Sequence, residues 1–243
     1  MVGARSNVQL PDAGISFHFD VIALDGSTSP RNIRLQHLVI AGWTGRDFAA
    51  VAGHIRELEQ MGVRPPTSIP VYYRVSVNTL STSSSIEVVG NGSSGEVEAV
   101  FLADGADILV AVGSDQTDRK METHSIAASK QMCPKPISRQ LWRYADVANH
   151  WDHLVLRSWA VFGPDRRLYQ EGSVSNLLPP ETLFRRFGDG PTGLPAATAM
   201  YRGTLSAIGG IRPMDSFEIE LEDPILQRRL THAYAVTLLP EVS

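Results

Sequence analysis

Two apolar runs, GEVEAVFLA at residues 95–103 and ILVAVGSD at residues 108–115, decide the fold class of this chain of 243 residues. Both have the composition of β-strands, and the turn-forming segment DGAD at 104–107 separates them. Side chains alternate between the two faces of a strand, yet here both faces carry apolar residues. The pattern therefore indicates a strand hairpin that is covered on both sides.

This hairpin predicts a cluster of carboxylates at its open end. If residues 104–107 form the loop, the register places Glu96 opposite Asp115. Glu98 shares their face, and directly opposed side chains have Cβ atoms about 5 Å apart, so the three carboxylates converge. Oxygen ligands without Cys or His favour Mg²⁺, Mn²⁺ or Ca²⁺ over zinc. The alternative is that the three are solvated acids at a strand end.

The C-terminal hairpin offers an internal comparison. Its predicted strands span 217–222 and 229–236. Glu218, Glu220 and Glu222 alternate strictly with apolar residues, as in a strand with one face in water. We expect these three glutamates to be exposed to solvent.

The rest of the chain is predicted to be rich in strands, with few helices. Apolar alternation predicts further strands at 15–21, 38–41, 69–77, 85–89 and 154–162. Helical spacing predicts helices at 47–61, 138–151 and 180–187. Because strands and helices do not alternate strictly, we expect a mixed α+β, β-dominated fold with a β-roll or barrel core and peripheral helices.

Composition and charge exclude several classes of protein. The chain has 22 Lys and Arg against 26 Asp and Glu, which leaves no electrostatic footprint for nonspecific nucleic-acid binding. No stretch approaches the roughly 18 apolar residues of a spanning helix, and the first residues lack the apolar core of a signal peptide. The one cysteine, Cys133, fits a reducing compartment. We expect a cytoplasmic protein that binds a small molecule and neither nucleic acid nor membranes.

Several short motifs follow one another in the order found in a known superfamily. They are Glu96-Val97-Glu98, GSDQTDR at 113–119, KQMCP at 130–134 and GTLSAIG at 203–209, preceded by YYR at 72–74. They resemble the Glu-x-Glu, Asn-Asp-x-Ser-x-Arg, Lys-to-Cys-Pro and Gly-Thr-Pro-Ala-Gly-Val-Gly motifs and the aromatic strand of the fumarylacetoacetate hydrolase superfamily. The whole chain resembles an uncharacterised bacterial branch known only as a domain of unknown function.

The resemblance implies a metal-dependent enzyme and a homodimer. Glu96, Glu98 and Asp115 would bind Mg²⁺ or Mn²⁺, and the cation would chelate an oxo-acid through adjacent oxygens. Its Lewis acidity would stabilise the charge that develops when a C–C bond beside a carbonyl breaks. Hydrolysis of a β-diketo or acylpyruvate-like carboxylate is the expected reaction. A decarboxylase, hydratase or tautomerase on the same scaffold, or a non-catalytic small-molecule binding protein, are the alternatives.

The resemblance also implies residues that bind the substrate. Arg119, Lys130 and the Thr204 hydroxyl would hold its anionic oxygens. Each has a structural alternative, since Arg119 can pair with Asp118 or Glu122 and Thr204 can cap a glycine-rich turn. The gap that precedes Lys130 is shorter than in the superfamily.

The chain departs from the superfamily near its N-terminus. GWTGRDF at 42–48 stands where an Asn-Tyr-x-x-His-x-x-Glu motif is expected. His54 and Glu57 lie three apart on the predicted helix and can touch, so that the imidazole, oriented by the carboxylate, could activate water. The resemblance places such a pair on a lid helix, and the alternative is a solvated histidine. We divide the chain into residues 1–64, with N-terminal strands and the candidate lid helix, and residues 65–243, the β-roll core with the metal site, and we expect the two to form one structural unit.

Two further motifs are interpreted as structural. His150 and His153 have no third ligand nearby and fit a helix end better than a zinc site. Cys133 lacks a base at a recognisable spacing, so we expect a small buried thiol and not a nucleophile.

Overall fold

The computed structural model describes residues 14–60, 65–188 and 193–242. Most of these residues lie in an eight-stranded sheet and a five-stranded sheet, with short helices around them. This arrangement confirms the predicted β-dominated α+β fold. Among the described residues, no helix is long and apolar enough to cross a membrane.

The elements are numbered in chain order. The strands are β1 (Ile15–Ile22), β2 (Thr28–Leu35), β3 (His37–Gly42), β4 (Val71–Val75), β5 (Leu80–Ser81), β6 (Ser85–Val89), β7 (Ser93–Ser94), β8 (Val97–Asp104), β9 (Asp107–Ser114), β10 (Thr117–Asp118), β11 (Lys135–Pro136), β12 (Gln140–Arg143), β13 (Val155–Phe162), β14 (Asp165–Ser173), β15 (Thr198–Tyr201), β16 (Ser216–Asp223) and β17 (Arg228–Leu239). The α-helices are α1 (Phe48–Gln60), α2 (Arg119–Glu122), α3 (Ile126–Met132), α4 (Tyr144–Val147) and α5 (Pro180–Phe187).

The larger sheet places β8 and β9 near its centre. Its order is β2-β1-β12-β9-β8-β15-β3-β4, and the smaller sheet has the order β14-β13-β16-β17-β6. The N-terminal strands β1, β2 and β3 therefore belong to the same sheet as the central hairpin. Four two-residue strands form two short pairs beside it, β7 with β10 and β5 with β11.

The predicted register of the central hairpin is confirmed. Glu98 pairs with Gly113, and the Asp115 amide donates to the Glu96 carbonyl oxygen at 3.0 Å. The loop is shorter than expected, because the strands continue to Asp104 and Asp107 and leave a two-residue turn between them.

Both faces of this hairpin are buried, as the sequence predicts. Ala99 and Phe101 pack into one hydrophobic cluster, which the smaller sheet covers. Val100 and Leu102 pack into a second cluster with the N-terminal strands. Burial of apolar surface in these two clusters stabilises the fold by roughly 25 cal/mol per Å². The hairpin, which contributes to both clusters, is therefore the centre of the fold.

Two predictions about the fold are wrong. Residues 138–151 do not form one helix, because Gln140–Arg143 form β12, which pairs with β1 and β9 and buries Trp142 completely. Tertiary pairing here overrides the helical spacing. Glu220 is buried and not solvated, because its strand partner Arg157 places Nη1 3.1 Å from Glu220 Oε1.

Candidate metal centre and substrate cavity

Three carboxylates meet at the open end of the β8–β9 hairpin. One ligand oxygen from each of Glu96, Glu98 and Asp115 can be chosen so that all lie within 4.8 Å of one another. Glu98 and Asp115 are buried, and Glu96 is half-buried. Among the described residues, this is the one cluster of three or more His, Cys, Asp or Glu side chains that could hold a metal ion.

Two lysines from the segment after the hairpin neutralise Asp115. Lys130 of α3 donates to Asp115 Oδ2, and Lys135 of β11 places its Nζ 3.1 Å from Oδ1. Burial by itself would raise the pKa of Asp115, but the two ammonium groups hold that pKa below its ordinary value. Burial by itself would lower the pKa of Lys130, but the carboxylates of Asp115 and Glu96 raise it above its ordinary value. Asp115 is therefore ionised at neutral pH.

Arg119 neutralises Glu96. Its Nη2 lies 2.9 Å from Glu96 Oε1, while Nη1 donates to Glu122 at 2.8 Å and Nε donates to Ser94 Oγ at 2.7 Å. The Asp118 side chain does not pair with Arg119 and instead caps the first turn of α2. Although Arg119 is largely buried, Glu96 and Glu122 raise its pKa, so it stays cationic.

Glu98 lacks a comparable cation. Its Oε2 accepts a hydrogen bond from the Gly203 amide at 2.6 Å, and no described basic side chain forms an ion pair with it. Burial, and then the charges of Asp115 and Glu96, raise the pKa of Glu98 well above its ordinary value. Without a further positive charge, this environment favours the protonated form of Glu98.

The donor set fits a divalent cation. A divalent cation beside Glu98 would supply the positive charge that the surrounding side chains do not provide. The carboxylates of Glu96, Glu98 and Asp115 all offer hard oxygen ligands. Asp115 Oδ1 is buried and has no hydrogen-bond donor in suitable geometry, although Lys135 Nζ is 3.1 Å away. This oxygen therefore has an ion-pair partner but accepts no well-directed hydrogen bond, and it keeps lone pairs for coordination.

Thr204 stands on the loop that covers Glu98. Gly203 has φ 98°, and a Cβ there would lie 2.0 Å from Thr44 Oγ1, so this position requires glycine. The Thr204 hydroxyl donates to the Val97 carbonyl oxygen at 2.8 Å and accepts from Gln170 Nε2 at 2.8 Å. Thr204 thus links the loop to β8 and also lines the cavity.

A cavity of about 490 Å³ opens over the carboxylates. Glu96, Glu98, Arg119, Lys130 and Thr204 all line it. Ala50 and Val51 bring the first turns of α1 to its wall. His54 and Glu57 belong to α1, but their side chains lie outside the described residues, so their predicted role stays a prediction.

Sequence reasoning missed three polar residues of this site. Lys135 follows the predicted Lys-to-Cys-Pro segment directly, but its approach to Asp115 depends on the pairing of β11 with β5. Gln170 lies on β14, a strand that the sequence pattern did not predict. Tyr73 lies on the predicted aromatic strand and places its ring centroid 5.9 Å from Lys130 Nζ.

The two structural interpretations agree with the geometry. His150 Nε2 lies 3.0 Å from Asp223 Oδ1, and His153 closes a 3₁₀ helix, which gives both residues a place in the fold. Cys133 is buried, and burial raises the pKa of its thiol to about 11. Such a thiol is protonated at neutral pH and a poor nucleophile.

A family model described as a protein of unknown function, DUF2848, matches residues 41–234. The chain belongs to the DUF2848 family. No match was found among curated proteins.

Solved structures show that this DUF2848 chain has the fumarylacetoacetate hydrolase fold. A candidate fumarylacetoacetate isomerase/hydrolase from Oleispira antarctica has a TM-score of 0.63 at 16% identity and covers 90% of this chain and 99% of its own. A 2-keto-3-deoxy-D-arabinonate dehydratase complexed with magnesium and 2,5-dioxopentanoate has a TM-score of 0.59 at 15% identity, with coverages of 87% and 77%. A yeast fumarylacetoacetate hydrolase family protein has a TM-score of 0.58 at 15% identity, with coverages of 86% and 96%. The expected resemblance is confirmed at the level of the fold.

The metal centre can be tested by thermal unfolding with and without MnCl₂. We expect Mn²⁺ to raise the melting temperature, because a ligand at about 100 times its Kd stabilises the native state by about 2.7 kcal/mol. Glu98→Gln should abolish most of this shift without destabilising the metal-free protein, since burial favours the neutral form of Glu98 there. Glu87→Gln, which removes an exposed carboxylate on β6, is the matched control. An equal shift in Glu98→Gln and the parent would place the metal elsewhere.

Proposed function

We propose that this DUF2848 protein is a divalent-metal-dependent enzyme that acts on a small oxo-acid, a β-diketo or acylpyruvate-like carboxylate, by hydrolysing a C–C bond. One observation carries the proposal: Glu98 is buried at the cavity wall beside two other carboxylates, and no basic side chain in the described part of the chain forms an ion pair with it. The fold supports the proposal, because a dehydratase with this fold was solved with magnesium and a dioxo compound.

Glu96, Glu98 and Asp115 would hold the cation. Their oxygen ligands suit Mg²⁺ or Mn²⁺, and Ca²⁺ is compatible with them. When bound, such a cation supplies Lewis acidity that stabilises negative charge on the oxygens of an adjacent oxo group.

Arg119 and Lys130 are the cations that would bind the substrate's carboxylate. Both line the cavity, and both are positively charged because carboxylates raise their pKa values. Charge-assisted hydrogen bonds to anionic oxygens are among the strongest polar contacts in proteins. Thr204 lines the same wall and would contact the substrate beside them, and the hydrogen bond from its hydroxyl to the Val97 carbonyl oxygen holds it in place.

His54 would activate water, with Glu57 orienting its ring. Ala50 and Val51 of α1 line the cavity, and His54 follows them by one helical turn. Gly53 lowers the stability of α1 by about 1 kcal/mol relative to Ala, which suits a segment that closes on the substrate. Hydrolysis would add the water's OH to the carbonyl carbon and return its proton to the carbon released by the broken bond.

The remaining proposals concern the setting of this enzyme. We propose a cytoplasmic homodimer that binds neither nucleic acid nor membranes. The net charge of −4 supports the first of these two exclusions, since it provides no excess of cations for phosphates.

Turnover of 2,4-dioxopentanoate tests the proposed reaction. We expect consumption that requires Mg²⁺ or Mn²⁺ and yields pyruvate and acetate in equal amounts, measured by loss of enol absorbance and by product analysis. Release of CO₂ would indicate a decarboxylase, and an isomer or hydration product would indicate a tautomerase or hydratase. Tight binding of oxo-acids without any turnover would contradict the proposal and favour a binding protein.

Replacement of His54 by Ala tests the proposed base. Turnover should fall by about 10² to 10⁴, the usual contribution of a positioned acid or base, while Mn²⁺ affinity stays unchanged. Arg56→Ala, on an exposed position of the same helix, is the control and should keep full activity. Loss of metal binding would make His54 a ligand, and full activity would return it to a solvated helix face.

A further inference from the structure

Trp43 lines the cavity and has a strained backbone conformation. It lies in the loop between β3 and α1 and has φ 58°, in the left-handed region. In residues 14–60, 65–188 and 193–242, Ala197 and Gln227 are the other non-glycine residues with positive φ, and neither lines the cavity. A bulky aromatic residue rarely adopts this conformation, because its Cβ crowds the backbone.

The residues that flank Trp43 are held in place. Gly42 ends β3 in register with Val71, and the buried Thr44 accepts a hydrogen bond at its carbonyl from the Leu178 amide at 2.7 Å. Any residue at position 43 must therefore follow the same backbone path. Glycine would adopt this conformation without strain, so the turn itself does not require tryptophan. We infer that the strained conformation is retained because it positions the indole side chain.

The indole lies close to the charged end of the cavity. Burial raises the pKa of the Tyr73 hydroxyl, and Lys130 and a hydrogen bond with the Trp43 side chain oppose this rise. Lys130 Nζ lies 5.9 Å from the centroid of the same Tyr73 ring and contacts Asp115. One aromatic residue thus separates Trp43 from the candidate metal centre.

The cavity is larger than a simple oxo-acid requires. Its volume of about 490 Å³ lies in the range of sites for drug-sized ligands, and a small dioxo-acid such as 2,4-dioxopentanoate would leave much of it empty. Apolar side chains supply much of the remaining wall. They are Val51, Ile126, Leu177, Leu205 and Ile211.

We propose that the substrate carries an aromatic or branched apolar group next to its oxo-acid head, and that Trp43 is the specificity-determining residue that packs against this group. The inference rests on the proposed function, because the oxo-acid head must bind at Glu96, Glu98 and Asp115. The left-handed backbone places Trp43 at the cavity wall, and aromatic rings provide large contact area at a low cost in side-chain entropy.

Two non-hydrolysable probes with the same head test this inference. N-methyloxamate and N-phenyloxamate both chelate through a carboxylate and an amide carbonyl oxygen, and they differ in a methyl against a phenyl group. Calorimetry on the Mn²⁺-loaded protein should show N-phenyloxamate binding about tenfold tighter or more, as expected for burial of an aromatic ring. Trp43→Gly should remove most of this preference and leave N-methyloxamate affinity unchanged.

Matched variants separate packing from strain. Trp43→Phe should retain most of the preference, whereas Gln227→Gly, which relieves a positive φ at an exposed position, should leave both affinities unchanged. Equal binding of the two probes to the parent, or equal weakening of both in Trp43→Gly and Trp43→Phe, would overturn the inference alone. Failure of both probes to bind the Mn²⁺-loaded parent would overturn the proposed function and this inference with it.

Discussion

Buried carboxylates repel one another and lose their hydration, and the centre of this protein is organised around that constraint. Lys130 and Lys135 face Asp115, and Arg119 faces Glu96. These three cations come from α3, β11 and α2, which all follow the β8–β9 hairpin in the chain. The segment from 115 to 136 therefore folds against the open end of the hairpin because it carries the charges that this end requires.

Among the residues that the structure describes, Glu98 is the carboxylate of this cluster that forms no ion pair. Its partner is the Gly203 amide, and the preceding residue, Arg202, helps to fix that loop. Arg202 is fully buried and donates from Nη2 to the Val174 and Leu178 carbonyl oxygens at 3.3 and 2.7 Å. Burial lowers the pKa of Arg202 to about 9. The loop at Gly203 suits a metal centre, because its amide holds the Glu98 carboxylate in one orientation.

The sequence is sufficient to predict the hairpin and its carboxylates, because alternation and a short turn are local signals that fix the register of Glu98 and Asp115. The buried cations could not be found in this way. Lys135 reaches Asp115 only through the pairing of β11 with β5, and Arg202 is enclosed by residues 174–178, far away in the chain. The prediction of a helix at 138–151 is wrong for the same reason, because residues 140–143 pair with β1 and β9 in the sheet. Period alone cannot separate a short buried strand from a helix.

The central claim is that a divalent cation completes the charge of the Glu98 site. Crystals grown with MnCl₂ and oxalate, and measured at a wavelength where manganese scatters anomalously, test it most directly. The account predicts one anomalous peak within coordination distance of Glu96, Glu98 and Asp115, with oxalate beside it at the cavity side. A peak at another position, or a protein saturated with Mn²⁺ whose three carboxylates carry no anomalous density, would contradict it.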